Sequence, residues 1–362
     1  MGTEGGTIVA RFEIRRRNYL SPAGEVVAPL PESGRDIEAL VAVYKTMMLT
    51  RTFDTKAVAL QRTGRLGTYA VSTGQEATDV GTASVMNPED VLLLSYRGTG
   101  AQIWRGVEMD ELLAYWGGDE RGNDFAGPRH DFPASIPVGS HAPHAAGVAS
   151  AFKLRREPRV AVCMFGDGAT SKGDVWEALN FSGVARLPVV YVVTNNQWAI
   201  SVPLARQTAA QTLAQKAIAA GITGEQVDGN DAIAVRAAVG EAVAAARSGC
   251  GPRLIEAECY RLSDHTTADD ASRYRSDKDV STRWAEEPIA RLRKYLLNAD
   301  AWNKSDEEML AADCQKRVEA AVEKYLSMQA RAPETMFDCL YAELPPVYAR
   351  QRDSVKQRSG DD

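Results

Sequence analysis

Two polar patterns at the ends of neighbouring apolar runs are the part of this sequence best suited to chemistry. The apolar run 160–165 ends in a Gly-Asp-Gly tripeptide around Asp167, and the run 188–193 leads to an asparagine pair that ends at Asn196. A helical stretch at 171–186 connects the two runs. Such a strand–helix–strand unit makes the strands parallel, with a right-handed crossover. The acid and the amide are therefore expected at one carboxyl edge, where such sheets bind ligands.

The residue types at this edge suit a magnesium diphosphate. The carboxylate of Asp167 and the amide oxygen of Asn196 are hard ligands of the kind that Mg²⁺ prefers, and the metal keeps positions for phosphate oxygens. Gly166 and Gly168 allow the backbone to approach a diphosphate closely. We expect the helix that begins near Ser171 to direct free N–H groups at it. A strand-ending turn would explain the tripeptide alone, but not the asparagine pair at this spacing.

The composition bounds the classes of protein to which the chain can belong. It has 362 residues, of which 44% are hydrophobic and 25% charged, and a net charge of −6, as is ordinary for a globular protein. No basic stripe stands out, which argues against a nucleic-acid partner, and no apolar run of about 18 residues predicts a membrane span. The five cysteines are odd in number and include no CxxC pair. Metal ligation by cysteines and a disulfide framework are therefore not expected, and a reducing cytoplasm fits best.

The order of apolar runs predicts an α/β fold, a doubly wound and mostly parallel sheet with helices on both faces. Residues 1–35 are expected to form an N-terminal arm with little regular structure, residues 36–298 the α/β domain, and residues 299–362 a helical C-terminal extension packed on the same domain. The polar stretch 260–279 is long for a loop in a compact domain, and such loops are often functional. Further helices are predicted at 37–48, 52–62, 103–115 and 209–220.

Several segments, in the correct order, resemble one known family. They are GRLGTYAVSTGQEA, LSYRGTGAQIWRG, FGDGATSKGDVWEALNF, NNQWAIS, VDGND and YRLSDHTTADDASRYR. The GDG and NN pair resembles the thiamine diphosphate fingerprint. Together the segments resemble the α subunit of the decarboxylating component of 2-oxo acid dehydrogenase complexes, over about residues 64–348. QRTGRLGTYA and TAAQTLAQKAIAAGI are most similar to the pyruvate dehydrogenase type, whereas DDASRYR suits the branched-chain type equally well.

The resemblance implies a thiamine diphosphate-binding fold and assigns roles to individual residues. Mg²⁺ would be held by the side chains of Asp167 and Asn196 and by the backbone carbonyl of Trp198. His265 matches the loop histidine beside the thiazolium, where an imidazole is suited to proton transfer. The remaining cofactor-binding residues would be Gly166, Gly168 and Ala169 through their backbone, Tyr96 and Arg97 from the opposite side, Arg261, and the backbone of Ile136 and Val138.

Four residues near these positions have open roles. His141 and His144 could line the substrate channel or pack in the core or in an interface. A carboxylate at Asp264 could raise the pKa of His265. Thr266 follows that histidine where animal relatives carry a regulatory serine, which puts phosphorylation control in doubt.

The resemblance also implies what the chain binds. In this family the glutamate that activates the aminopyrimidine belongs to a β subunit, so the site would lie at an α/β interface, with α2β2 as the expected assembly. The substrate would be a small 2-oxo acid, and the acyl group would pass to a lipoyl-bearing acyltransferase component. Pyruvate, a branched-chain 2-oxo acid and acetoin remain open as substrates. A transketolase half and a non-catalytic α/β binding protein are the further alternatives.

Overall fold

The structure, a computed structural model of the chain, describes residues 7–338 and 340–359. These form two compact units, one within Met1–Val322 and the other within Glu323–Asp362. The first six residues of the predicted arm, Cys339 and the last three residues of the predicted extension lie outside the described residues. The predicted domain boundaries at 35 and 298 stay predictions.

A six-stranded sheet lies at the centre of the first unit. The strands of the unit are β1 Arg16–Arg17, β2 Val91–Leu94, β3 Ala161–Gly166, β4 Val189–Asn195, β5 Trp198–Ala199, β6 Val202–Pro203, β7 Thr223–Asp228 and β8 Arg253–Glu258. The sheet order is β1-β7-β8-β4-β3-β2, and each neighbouring pair is parallel. Strands β5 and β6 form a separate antiparallel hairpin.

The helices of the described residues are α1 Ile37–Arg62, α2 Glu76–Ala83, α3 Thr99–Arg105, α4 Met109–Trp116, α5 His141–Arg155, α6 Gly173–Ala185, α7 Leu204–Gln207, α8 Lys216–Ala219, α9 Ala232–Arg247, α10 Asp277–Trp284, α11 Pro288–Asn298, α12 Lys304–Leu326 and α13 Pro346–Ser359. Helices of the first unit cover both faces of the sheet. Because strand side chains alternate, Cys163 belongs to the core that α5 and α6 cover, and Met164 to the core that α2, α3 and α9 cover. The predicted doubly wound, mostly parallel α/β fold is confirmed.

Three helical predictions differ from the structure. Helix α1 is continuous where two helices were expected, since the join contains no glycine or proline and the Thr50 hydroxyl bonds the carbonyl of the preceding turn at 2.8 Å. The stretch 103–115 is divided between α3 and α4 at Gly106, whose φ of 93° ends the first helix. The stretch 209–220 is helical only near its end, because the Ala214 N–H is bonded to the Glu256 carboxylate at 2.9 Å instead.

The arm and the polar loop contain more regular structure than expected. Strand β1 of the arm adds a parallel edge strand beside β7. The chain after it is fixed by Asp231, whose carboxylate accepts the backbone N–H groups of Tyr19 and Leu20 at 2.6 and 2.8 Å. The loop 260–279 contains a 3₁₀ turn, Ala271–Arg273, and the start of α10. The strand in the arm depends on contacts with distant residues, whereas the turn and the helix in the loop are capped locally by Asp270 and Ser276.

The remaining composition-based expectations concern membranes and cysteines. Within residues 7–338 and 340–359, no helix combines the length and the apolar character needed to cross a membrane. The described cysteines are free thiols, with Cys163, Cys259 and Cys314 buried and Cys250 exposed.

Candidate active site

A cavity of about 200 Å³ lies at the carboxyl edge of β2, β3 and β4. The register pairs Leu94 with Met164 and Gly166 with Thr194, so the residues that follow the three strands meet at one place. Ile136 and Arg261 are not in the cavity wall, although the Arg261 guanidinium bonds the wall carbonyl of Ile200 at 2.8 Å. The predicted site residues in the wall are Tyr96, Arg97, Val138, Gly166, Asp167, Gly168, Ala169, Asn196, Trp198 and His265.

Asp167 is a buried acid at the end of β3. Its side chain is 1% exposed, and the side-chain donor to its Oδ2 is the neutral amide of Gln207, at 2.6 Å. Burial raises the pKa of Asp167, and the Gln207 hydrogen bond and the charge of Arg261 lower it in part. Helix α6 begins at Gly173 rather than near Ser171, because a 3₁₀ helix over Asp167–Ser171 comes first. The predicted helix start is therefore wrong by about half a turn.

Asn196 lies beside Asp167 at the end of β4. Its Nδ2 donates to Gln75 Oε1 at 2.7 Å, and its Oδ1 accepts the Trp198 N–H at 3.2 Å. Gln197 and Ile200 have φ values of 72° and 56°. These left-handed residues turn the chain on either side of Trp198, whose carbonyl accepts a hydrogen bond from Arg261 at 3.3 Å. Backbone strain of this kind persists where surrounding contacts impose it, commonly at functional sites.

Two buried guanidinium groups bring positive charge to the cavity, that of Arg97 in its wall and that of Arg261 behind the wall residues Trp198 and Ile200. Arg97 is 6% exposed and donates to the Val71 carbonyl at 2.7 Å. Arg261 is 1% exposed and donates to the Tyr274 hydroxyl at 2.9 Å. Burial, followed by the nearby charge of Arg97, lowers the pKa of Arg261 to about 10. Two neighbouring positive charges favour the binding of an anion between them.

His265 lies between these cations. Arg97 donates to its Nδ1 at 3.0 Å and to its backbone carbonyl at 2.7 Å, and the Tyr96 hydroxyl lies 3.5 Å from its Nε2. Burial and then the charges of Arg97 and Arg261 lower the pKa of His265 to about 4. The expectation that Asp264 raises this pKa is wrong, because the Asp264 carboxylate accepts the Ala271 N–H at 3.0 Å instead.

The two histidines with open roles have different positions. His141 is 3% exposed and lines the cavity, with its Nε2 at 2.8 Å from the Met164 carbonyl. Burial lowers the pKa of His141. His144 is exposed, and its ring lies 6.2 Å from that of Phe132. His141 is therefore both a core residue and part of the cavity wall.

Unpartnered polar atoms surround the cavity. Among the described residues, Asp79 Oδ2, His141 Nδ1 and Gln207 Oε1 are buried and have no hydrogen-bond partner. A side-chain carbon added at Gly166, in the cavity wall, would meet open space. Native proteins rarely leave buried polar atoms unpaired, so these groups have bonding capacity left for water or for a polar ligand.

Three side chains that contact the predicted metal ligands or carry a charge in the cavity wall were not predicted as site residues. Gln75 and Gln207 bind the side chains of Asn196 and Asp167, and Asp79 lines the cavity. Gln75 lies in a segment that carries the family resemblance, which was a usable signal. The sequence offered no such signal for Asp79, because the complete burial of its helix is visible only in the structure.

Comparison with known proteins identifies relatives over most of the chain. The model of the dehydrogenase E1 component family matches residues 44–334. A 3-methyl-2-oxobutanoate dehydrogenase subunit alpha from Mycobacterium tuberculosis is 42% identical over 320 residues, which cover 88% of this chain and 87% of the relative. Pyruvate dehydrogenase E1 component subunits alpha are 38% identical in Acholeplasma laidlawii, over 92% of this chain and 97% of the relative, and 37% identical in Staphylococcus aureus, over 89% and 87%. The chain therefore belongs to the dehydrogenase E1 component family of thiamine diphosphate-dependent 2-oxo acid dehydrogenases.

Proposed function

We propose that this chain is the α subunit of pyruvate dehydrogenase. With a β subunit it would decarboxylate pyruvate oxidatively and pass the acetyl group to a lipoyl carrier. The observation that carries the proposal is a single cavity with Asp167 and Asn196 on one side and Arg97 and His265 on the other. The oxygen donors suit a metal, the guanidinium group suits a diphosphate, and the imidazole suits proton transfer.

The side chains present fit Mg²⁺ and thiamine diphosphate. Asp167 Oδ, Asn196 Oδ1 and the Trp198 carbonyl are all oxygen donors, the set that Mg²⁺ prefers. The carboxylate of Asp167 is buried against a neutral amide donor, and buried charges are usually paired or bound to a metal. The open space at Gly166 leaves room for a phosphate. Tyr96, Arg97 and Arg261 would hold the diphosphate, and the backbone near Ile136 and Val138 the aminopyrimidine.

When it is bound, thiamine diphosphate supplies the electron sink for decarboxylation of a 2-oxo acid. The residues of this chain hold and orient the cofactor and donate a proton. Because Arg97 donates to Nδ1 of His265, the neutral imidazole carries its proton on Nε2, which lies near the Tyr96 hydroxyl. That N–H can donate a hydrogen bond to a reacting oxygen in the cavity. We propose that His265 donates a proton from its imidazolium form, which the negative charge of a bound diphosphate favours.

The shape of the cavity supports a site shared with a β subunit. Its volume of about 200 Å³ lies below the range of about 300–1,000 Å³ for pockets that enclose a ligand. Large apolar side chains nearby are exposed, including Ile136 at 51%, Val138 at 46% and Ile200 at 55%. Exposed apolar groups beside an incomplete pocket favour a partner that covers both. We propose an α2β2 assembly that acts with a lipoyl-bearing acyltransferase in the cytoplasm, where free thiols persist.

A branched-chain 2-oxo acid dehydrogenase is the second candidate. The relative that acts on 3-methyl-2-oxobutanoate, by its name, is 42% identical, against 38% and 37% for the pyruvate dehydrogenase relatives. Substrate size is discriminated weakly by such pockets, at about 1–3 kcal/mol per methylene, and residues of both subunits contribute. The two substrates therefore need to be compared directly.

Reconstitution tests this proposal. We expect the chain, its β subunit, Mg²⁺ and thiamine diphosphate together to reduce a dye acceptor with pyruvate, at a kcat/KM at least about tenfold above that with 3-methyl-2-oxobutanoate. Acetoin is not expected to support reduction of the dye. The opposite preference would assign the branched-chain function, and preference for acetoin would assign an acetoin dehydrogenase. Full activity of the chain without its β subunit would contradict the shared site.

Replacing Gln207 by leucine is expected to weaken Mg²⁺ binding. The variant removes the amide that donates to Asp167 Oδ2 at 2.6 Å and leaves the carboxylate in place. Loss of such a supporting hydrogen bond costs about 10–100-fold in metal affinity. The measurement is a titration of Mg²⁺ at a fixed thiamine diphosphate concentration with the β subunit present. The exposed Gln211, replaced by leucine, is the matched control, and equal affinities in the two variants would contradict the role of Gln207.

A further inference from the structure

Lys216 is a buried cation that the proposed function leaves without a role. It is the first residue of α8 and is 8% exposed, in the segment TAAQTLAQKAIAAGI that carries part of the family resemblance. Its ammonium donates to the Thr170 carbonyl at 2.9 Å and to the Thr170 hydroxyl at 2.7 Å. The charges of Asp167 and Glu256 attract it as well. Breaking the two hydrogen bonds would leave buried donors unpaired, which is costly, so they fix Thr170 relative to α8.

Thr170 belongs to the 3₁₀ helix Asp167–Ser171, which begins with the proposed metal ligand. The threonine is 3% exposed, and its hydroxyl donates to the Asp167 carbonyl at 2.7 Å. A hydroxyl has one proton and two acceptor sites, so it can accept from Lys216 and donate to Asp167 at the same time. A chain of hydrogen bonds therefore leads from the ammonium to the backbone that carries the Asp167 carboxylate.

The backbone that carries Lys216 is fixed to the sheet. Two residues earlier, the Ala214 N–H donates to the Glu256 carboxylate of β8 at 2.9 Å. Ala214 and Ala217 are fully buried in the core, and a side-chain carbon built at Gly224 of β7 would lie 2.6 Å from Ala217 Cβ. Packing this close leaves α8 little freedom to move. The lysine is therefore held at its backbone by the sheet and at its ammonium by Thr170.

Glu256 connects the same segment to the strand that carries the second proposed metal ligand. One of its carboxylate oxygens accepts the Ala214 N–H, and the other accepts from the Asn195 side-chain amide at 2.7 Å. Asn195 directly precedes Asn196 at the end of β4. The segment 214–216 is thus tied to the chain beside both metal ligands, to one by its ammonium and to the other through the glutamate.

We propose that Lys216 is a positioning residue that acts through Thr170 and holds the 3₁₀ helix Asp167–Ser171 in the shape that binds magnesium diphosphate. The inference rests on the proposed function, in which Asp167 ligates Mg²⁺ and the backbone after it contacts the diphosphate. Because the ligand and this backbone belong to one short turn, a shift of the turn misplaces both. Groups that orient a metal ligand contribute about 10–100-fold to metal affinity.

Variants of both residues distinguish the hydrogen bonds from the charge. Lys216→Met keeps the unbranched stem but has no donor, and its affinity for Mg²⁺ is expected to fall by about tenfold. Thr170→Val keeps the shape but lacks the hydroxyl and is also expected to bind more weakly, whereas Thr170→Ser should stay within about twofold of wild type. Since the two residues act together, the double variant is expected to lose less than the product of the two single losses.

Titration of Mg²⁺ into the assembled α and β subunits, at a fixed thiamine diphosphate concentration, measures these affinities. Lys172→Met is the matched control, because Lys172 is exposed directly after the same turn and the substitution is identical. Its affinity is expected to equal wild type. An equal loss in Lys172→Met would assign the effect to net charge and overturn the proposal, as would wild-type affinity in Lys216→Met.

The threonine variants test the route by which Lys216 acts. Equal affinities of Thr170→Val and Thr170→Ser would show that Lys216 does not act through the hydroxyl and would overturn the proposal, even where Lys216→Met fails to assemble. Losses that multiply in the double variant would overturn it in the same way. These comparisons involve residues outside the cavity wall, so they separate the support of the turn from the cofactor contacts themselves.

Hydrogen exchange measures the turn in the cofactor-free assembly. The Lys172 N–H donates to the Ala169 carbonyl at 3.0 Å and closes the turn. Its exchange is expected to be about tenfold faster in Lys216→Met, while the amides in the middle of α6 exchange as in wild type. Unchanged exchange of this amide would overturn the proposal, and equally faster exchange throughout the chain would show a merely structural role. Failure of the wild-type assembly to bind thiamine diphosphate would instead count against the proposed function.

Discussion

Replacing Asp167 by alanine is expected to abolish Mg²⁺-dependent retention of thiamine diphosphate by the assembled α and β subunits. Asp167 is the carboxylate among the three proposed metal ligands, and the diphosphate charge would lack compensation once the metal is lost. Removing a direct metal ligand should weaken binding more than removing the Gln207 hydrogen bond that supports it. The affinity for thiamine diphosphate is therefore expected to fall by more than about 100-fold. Equilibrium dialysis with thiamine diphosphate and Mg²⁺ measures the loss, and 2-oxo acid-dependent dye reduction should disappear with it.

The same substitution is not expected to destabilise the cofactor-free chain. Burial raises the folded-state pKa of Asp167, so the folded state binds its proton more tightly than the unfolded state does. Above the unfolded pKa of about 4, ionisation of this group therefore destabilises the fold, and its removal relieves that cost. Thermal unfolding without cofactor should show an unchanged or higher midpoint in the variant. A lost binding site in a chain of undiminished stability separates a ligand role from a structural one.

Two control variants test whether the loss of binding in Asp167→Ala depends on the charge and the position of this residue. Asp167→Asn keeps one oxygen ligand but removes the charge, so its affinity is expected to lie between wild type and the alanine variant. Asp174→Ala removes an exposed acid from the first turn of α6, a few residues further on, and should leave binding unchanged. Wild-type affinity of Asp167→Ala for thiamine diphosphate would exclude this residue as a metal ligand.

The sequence was sufficient to predict the sheet edge that forms the site. Runs 160–165 and 188–193 are apolar throughout, as buried parallel strands are, and one helix separates them. The crossover rule then fixed the relative positions of Asp167 and Asn196. The register of β3 and β4, with Gly166 opposite Thr194, agrees with that prediction.

What the sequence did not predict depends on contacts between distant residues. Gln207 reaches Asp167 across 40 positions, and Arg97 reaches His265 across 168. The direction of the His265 pKa shift depends in part on such contacts, because adjacent Asp264 turns away while distant Arg97 joins Arg261, four positions before the histidine. Periodicity and local propensity carry no information about these distances, so neither the contact of Gln207 with Asp167 nor that of Arg97 with His265 could be read from the sequence.

Replacing His265 by alanine is expected to slow turnover while sparing cofactor binding. The ring contacts no proposed metal ligand among its described hydrogen bonds, and Arg97 keeps its 2.7 Å bond to the backbone carbonyl of residue 265 in any variant. Loss of a positioned proton donor costs about 10²–10⁴-fold in rate. Single-turnover transfer to a lipoyl carrier measures the rate, and His130→Ala, at an exposed position, is the control. Wild-type transfer by the His265 variant would exclude the catalytic role.

The pH dependence of His265 gives an independent measurement. In the cofactor-free chain its pKa is about 4, against an ordinary value near 6.5, because burial and the charges of Arg97 and Arg261 oppose protonation. The unfolded chain takes up this proton between about pH 6.5 and 4 and the folded chain does not, so the residue lowers stability as the pH falls through that window. A bound diphosphate would offset both cations and raise the pKa again. NMR titration of a chain labelled at its four histidines, with His265→Ala to assign the resonance, should therefore show that the His265 imidazole stays neutral at pH 5 without thiamine diphosphate and takes up a proton at higher pH with it. A titration unchanged by the cofactor would place the diphosphate away from these two arginines.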